Sequence, residues 1–208
     1  MNTCHSTVFG QMMAGVEPRR MWLPDPADAF ETQRRRLKEA GLAPIHAFDH
    51  LAGRLPSNGP ILLVPAKPRE VDWVEIMGLI RLEHKKGKSM IEPYQYKHLK
   101  DKVEDPGMPT MQTNIDYGVD CRNLSGLGAF DRIRAAGRIP FHMWSVCNLV
   151  FQYPPVLNYL FPAAAGSTYR EICVPGILTM DFEPWLDSAP DDIVRPVVGF
   201  PSSAEVLK

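Results

Sequence analysis

The chain has 208 residues, a net charge of −1 and hydrophobic side chains at 45% of positions. That length suits one domain, and it buries roughly 70% of the unfolded surface, so no disulfide or metal is required for folding. A near-neutral balance gives no general attraction to nucleic acid or to an anionic membrane. The cysteines Cys4, Cys121, Cys147 and Cys173 lie far apart with no C-x-x-C pair, which argues against a cysteine zinc site and fits a reducing cytoplasm.

Taken in chain order, residues 1–24 read as a leader or extension. Their apolar stretch at 7–16 is not preceded by Lys or Arg, and Glu17-Pro18-Arg19-Arg20 follows it, which is not the pattern of a secretory signal. A globular domain is expected over 25–180. Asp25-Pro26 is a helix start, with Asp as N-cap and Pro at the first helical position, and Gly41 is a stop. His46 to Leu55 reads as a second, shorter helix. Residues 60–65, PILLVP, form a continuous apolar run between Gly and Pro, the signature of a central strand. Pro68 to Leu82 is expected to be a buried helix, Ser89 to Ile91 a short strand, Tyr94 to Val103 a helix, and Thr110 to Tyr117 a strand. A helix over Leu127–Ala136 is stopped by Gly137. Glu171 to Val174 and Ile177 to Met180 read as two short strands around a Pro175-Gly176 turn. Residues 181–208 read as an acidic, proline-containing tail. Helices outnumber scattered strands, so the expected class is α+β: one domain, helix-rich, with a small mixed sheet covered by helices.

Ile139 to Tyr169 contains no Asp, Glu, Lys or Arg, yet holds seven of the nineteen aromatic residues. A block of this kind has to be buried against something. Pro140, Pro154, Pro155 and Pro162 cut it into pieces too short to cross a bilayer. It is therefore expected to be a soluble core, with one helix over His142–Tyr153 and a helical turn over Val156–Phe161.

Several segments together resemble a bacterial family described only as a domain of unknown function. They are RRRLKEAGLAPI, GPILLVPA, the helix containing Val71, TNIDYGVD, the run AFDRIRAAGRIPFHMWSVCNLVFQYPPVL, and VPGIL, which span roughly residues 30–180. The tightest piece is Gly137-Arg138-x-Pro140. Where the family tends to place a Thr and an acidic residue after this proline, this chain has His142 and Trp144. The resemblance implies a helix–strand–helix–strand–helix–GRxP–helix order and no assigned activity.

Four features bear on chemistry. His46 and His50 have the i, i+4 spacing that puts two imidazoles on one α-helical face, a weak candidate for a metal site that lacks a third ligand and the H-E-x-x-H context. Arg138 precedes the buried helix that His142 opens, where an arginine and a helix N-terminus would hold a carboxylate or phosphate; alternatively, Arg138 caps the preceding helix and His142 satisfies backbone. Arg81 to Lys102 is locally basic with Tyr94 and Tyr96 interleaved, either a nucleotide-binding surface or a solvated face. The acid-rich run Asp181 to Asp192 could face it, within one molecule or between copies. The P-loop ending and a G-x-S-x-G elbow are both absent. The expected function is a non-enzymatic cytoplasmic module, without cofactor, that binds a protein partner or itself through the apolar block or the leader. Nucleic acid and membrane insertion are not expected. The alternative is a small-ligand binder or enzyme using Arg138 and His142, or the His46/His50 pair.

Overall fold

A computed structural model describes residues 25–192, 194 and 197–208; the leader expected over 1–24 lies outside them. The fold is mixed α+β, with helices packed around several small sheets, one of them a five-stranded sheet curled into a half-barrel. Helix α1 (Pro26–Glu39) begins as its sequence dictates: Asp25 accepts a hydrogen bond from the Ala27 amide at 2.7 Å. Strand β1 (Ile61–Val64) follows, then α2 (Trp73–Leu79), a hairpin of β2 (Arg81–Leu82) and β3 (Lys85–Lys86), and β4 (Lys88–Ser89). Strands β5 (Leu99–Asp101) and β6 (Thr110–Thr113) lead to α3 (Gly126–Ala135), β7 (Ile139–Pro140) and α4 (Met143–Gln152). The remainder is strand: β8 (Phe161–Pro162), β9 (Ser167–Tyr169), β10 (Cys173–Met180), β11 (Glu183–Pro190), β12 (Val198–Gly199), β13 (Ser202–Ser203) and β14 (Glu205–Leu207).

Strand β1 has no solvent face because a helix lies on each side of it. Ile61 and Leu63 point toward α1, where Phe30 and Leu37 are buried with them. Leu62 and Val64 point the other way, into the cluster that holds Trp144, Cys147 and Leu149 of α4. This two-sided burial is why the segment reads as an unbroken apolar run instead of an alternating one. Among the described residues β1 pairs only with β6, in the order β1-β6-β14. Its other edge is closed by a side chain: Gln33 of α1 donates to the Ile61 carbonyl at 3.0 Å and accepts from the Leu63 amide at 2.7 Å. The amide group of one glutamine thereby substitutes for the missing neighbour strand.

The charge-free block is the centre of the domain. Phe141, Met143, Trp144, Val146, Cys147, Leu149 and Val150 are all buried. Among the described residues no helix is long and apolar enough to cross a membrane. Trp144 packs edge-on against Trp73 with ring centroids 6.4 Å apart, and its indole N–H donates to the Pro65 carbonyl at 2.8 Å. At the far end of α4, the Arg36 guanidinium donates to the Gln152 carbonyl, binding α1 to the C-terminus of α4.

Several expectations are corrected. The helix expected over 68–82 is confined to Trp73–Leu79, because Asp72 caps the amides of Val74 and Glu75 and Ile80 turns extended into β2. The segment 94–103 is a 3-10 turn at Pro93–His98 followed by β5, and His46–Leu55 is wound as 3-10 helix within Ile45–Arg54. Pro175-Gly176 is not a turn. It lies inside the eight-residue β10, which pairs residue for residue with β11, from Cys173 opposite Pro190 to Met180 opposite Glu183. Proline is tolerated there because the N–H it lacks would point away from β11, on the side where its own carbonyl accepts from the Ala164 amide at 2.8 Å. A Cβ on Gly176 would come within 3.0 Å of the Pro162 carbonyl oxygen, so the local requirement for glycine is close packing against β8.

The segment 181–208 is likewise no tail. It supplies β11 to β14, and β14 completes the sheet containing β1 and β6. Gly118 shows how tightly this segment is seated. It has φ +74° and an added Cβ would lie 2.1 Å from the Phe200 carbonyl oxygen.

Replacing Trp144 with Ala should cost about 3–5 kcal/mol in a denaturant titration, the range for deleting a fully buried large side chain. Trp144→Phe should cost less but remain destabilising, since it restores the ring and leaves the Pro65 carbonyl unpaired. A loss under about 1 kcal/mol for Trp144→Ala would show that the block is not the core.

Candidate functional site

The N-terminus of α4 opens onto a cavity of about 580 Å³, bounded by the end of β1, the 102–108 loop, β6, one face of α3, β7 and β14. Its polar floor is made of side chains that are themselves buried: Thr110, Gln112 and His142. His142 is the N-cap of α4. Its Nδ1 accepts from the Ser145 amide at 3.2 Å, which leaves the proton of the neutral ring on Nε2, 3.4 Å from Ser145 Oγ. Ser145 Oγ also accepts from Gln112 Nε2 at 2.8 Å. The other amide atom, Gln112 Oε1, is buried without a hydrogen-bond partner. Buried acceptors are seldom left unfilled, because desolvation costs about 1–3 kcal/mol.

Behind the floor, a second set of groups fixes the helix end. Ser167 Oγ accepts from the Met143 amide at 2.8 Å and donates to Asp101 Oδ1 at 2.6 Å. Asp101 Oδ2 pairs with Lys67 Nζ at 2.5 Å. Burial pushes the His142 pKa below its ordinary value of 6.5, against the opposing pull of Asp101 and Asp105. The ring is therefore neutral at neutral pH, suited to donate from Nε2 and unsuited to stand as a buried cation.

The walls differ in character. Val64, Met108, Ile139 and Val206 are apolar, while Lys102, Arg134 and Lys208 bring positive charge and Glu104 and Asp105 negative charge. Lys102 Nζ stands 5.8 Å from the centre of the Phe130 ring. Asp105 is already engaged by the Gly107 amide at 2.9 Å. A second recess, bounded by Phe161, Val174, Ile177 and Val198, has about 60 Å³ of space, which is room for about two waters.

The structure separates the pair Arg138 and His142. Arg138 does not line the cavity. Its guanidinium donates to Ser202 Oγ at 2.9 Å, the Ser202 carbonyl at 3.1 Å and the Asn114 carbonyl at 2.5 Å, stitching β13 to the chain after β6. That occupation of its donors accounts for the arginine in the G-R-x-P segment without an anion. His46 and His50 are both exposed. In a 3-10 helix of three residues per turn, an i, i+4 pair is displaced by about 120° around the axis, so the two rings do not share a face. Among the described residues no group of three or more His, Cys, Asp or Glu is placed to hold a metal. Gln112 and Thr110 were not legible as site residues, because only the β6–α4 packing brings them to His142; Ser145, three residues after His142 on the same helix, is drawn in by the cap itself.

The basic and acidic segments meet within one molecule. Lys88 Nζ bonds Glu183 Oε2 at 2.9 Å and stands over the Trp185 ring at 5.1 Å, and Lys85 Nζ donates to the Asp181 carbonyl.

A pH dependence follows from His142. Its folded pKa is depressed, so its contribution to stability is fully present above the unfolded value of about 6.5 and is lost as pH falls below it, when the unfolded chain takes up a proton the folded ring resists. Chemical denaturation at pH 7.5 and 5.0 should show the wild type losing stability on acidification. His142→Gln should lose less over the same interval, and equal slopes would remove His142 as the source.

Searches against protein-family models, curated proteins and solved structures find no match.

Proposed function

We propose that this chain is a small-ligand-binding protein whose site is the cavity at the N-terminus of α4. The observation that carries the reading is a floor of buried polar side chains, His142, Gln112 and Thr110, beneath a space of about 580 Å³ whose walls are part apolar and part charged. Ligand sites are concave spaces of this size in which a small number of fixed polar groups orient the ligand. Packing alone would favour apolar residues at the floor, since buried polar groups cost free energy unless each is paired. His142 and Ser145 are held by backbone and by one another, so they are pre-organised, which reduces the ordering cost of binding.

A second reading, a protein-binding module, has different support. Phe182 and Ile172 are large, exposed and carried on tight turns with positive φ at Asp181–Phe182 and Arg170–Glu171. The apolar block lends that reading less, because its side chains are spent on the chain's own core. A cytoplasmic setting agrees with either reading.

A thermal-shift screen of small polar and amphipathic molecules tests the cavity. Compounds at about one hundred times their Kd should add about 2.7 kcal/mol of stability. Val206 is half-buried on the cavity wall; Val206→Trp should narrow the space and weaken those shifts while its own melting curve stays cooperative. Shifts of unchanged size in the narrowed variant, or a screen without a single hit, would overturn the reading.

A further inference from the structure

Strands β10 and β11 have two faces, and one of them is spent on the core: Ile177 and Leu186, directly opposite each other, are buried in the cluster around α4. On the other face the register sets Val174 opposite Ala189, Gly176 opposite Asp187 and Leu178 opposite Trp185. Gly176 therefore leaves Asp187 with no side chain across from it. This is the site of the recess of about 60 Å³, which Phe161 of β8 and Val198 of β12 also line. Its lining is mostly apolar, and Asp187 is the one ionisable side chain among the described residues that form it. The acids before and after it on this part of the chain are engaged. Glu183 pairs with Lys88 at 2.9 Å, and Asp191 Oδ1 accepts from the Leu127 amide at 2.6 Å. Asp187 is half-buried, and among the described residues none bonds its carboxylate. Lys88, on the neighbouring strand β4, is held by Glu183 and stands over the Trp185 ring at 5.1 Å. A carboxylate with apolar neighbours and no cation of its own favours a ligand that brings one.

We infer that this recess is a binding site for a small free alkylammonium, its ammonium donating to the Asp187 carboxylate and its alkyl chain lying against Phe161, Leu178 and Val198. The space has room for about two waters, so it takes about two carbons of the chain. The carboxylate is only half-buried, so the ammonium keeps some of its three donors on water and loses little hydration on binding. The site is separate from the cavity at the N-terminus of α4, and neither assignment depends on the other.

The test is a titration of isotope-labelled protein, read from the amide resonances of Gly176, Leu178, Asp187 and Val198. Across methyl-, ethyl-, propyl- and butylammonium, affinity should rise about fourfold with each methylene that enters the recess and then level off. Butanol should bind severalfold more weakly than butylammonium, and butyrate more weakly still. Asp187→Asn keeps the shape of the side chain; it should lower butylammonium affinity severalfold and leave butanol unchanged. Asp192→Asn, at an exposed acid nearby in the chain, should leave both unchanged. Equal losses in the two variants would show diffuse attraction to an acidic segment and overturn the site. Butanol binding as tightly as butylammonium, or no saturable shift of these amides at millimolar concentrations, would do the same. Ala189→Leu, which narrows the recess from the same face, should weaken both ligands while its melting curve stays cooperative, and undiminished binding there would place the amine elsewhere. Nα-acetyl-lysine methylamide carries the same ammonium on a chain tethered at the end that enters the recess, so it should bind more weakly than butylammonium. Equal binding would assign the recess to a lysine of another polypeptide and overturn the free amine as its ligand.

Discussion

Helix α4 has almost no solvent face, so its polar groups draw their partners from inside the protein, Asn148 Oδ1 and Gln152 Oε1 excepted. That demand organises the surrounding elements. Asn148 returns its amide to the Trp144 carbonyl one turn earlier, Trp144 reaches the backbone at Pro65, and the Gln152 carbonyl is met by Arg36 from α1. At the N-terminus the demand is met by Ser167 and by the side chain of His142 itself. The same end of the same helix therefore fixes strand β9, the side of β6 and the floor of the cavity. Side chains held in this way lose little freedom when a ligand arrives, and this is the physical link between the core and the site.

The parts of the fold that were legible are those where one local rule decides. Asp25-Pro26 starts a helix because both residues satisfy the first turn, and Ile139–Tyr169 is buried because it has no charge to keep in water. The misread parts are those where a distant partner outweighs the local rule. Pro175-Gly176 would turn if the segment were alone; eight cross-strand pairs with Glu183–Pro190 hold it straight. Those acidic, proline-bearing residues look like a tail because their apolar members are few. Leu186, fully buried, and Pro184, close to it in burial, are enough to anchor one face, while Glu183 finds Lys88. The spacing of His46 and His50 carries meaning only on an α-helix, and the segment Ile45–Arg54 is wound more tightly.

Of the site, only His142 was visible beforehand. It stood out as a polar residue at the edge of a charge-free run. Gln112 lies 33 positions before Ser145, and their hydrogen bond depends on the placement of β6 against α4. Arg138 stood out for the opposite reason: a charge bordering an apolar block looks available, yet three acceptors from Ser202 and Asn114 occupy it. A similar economy governs the charged segments. The lysines of β3 and β4 and the acidic start of β11 are far apart in sequence and adjacent in the fold, so much of the local field that each segment would project alone is cancelled close to the surface.

The Gln33 amide has a consequence for how copies of this chain meet. An open strand edge is an invitation to another strand, and β1 is wholly apolar. Gln33 occupies the central donor and acceptor of that edge, and Tyr153 fixes the glutamine in turn at 2.8 Å. Among the described residues, the other outer strand of this sheet is the three-residue β14, which carries Glu205. A sheet guarded on one side by a locked amide and on the other by a short strand bearing a charge is poorly suited to grow from chain to chain. The glutamine thus acts as a guard against fibrous assembly at the four-residue, fully buried strand on which both helices pack.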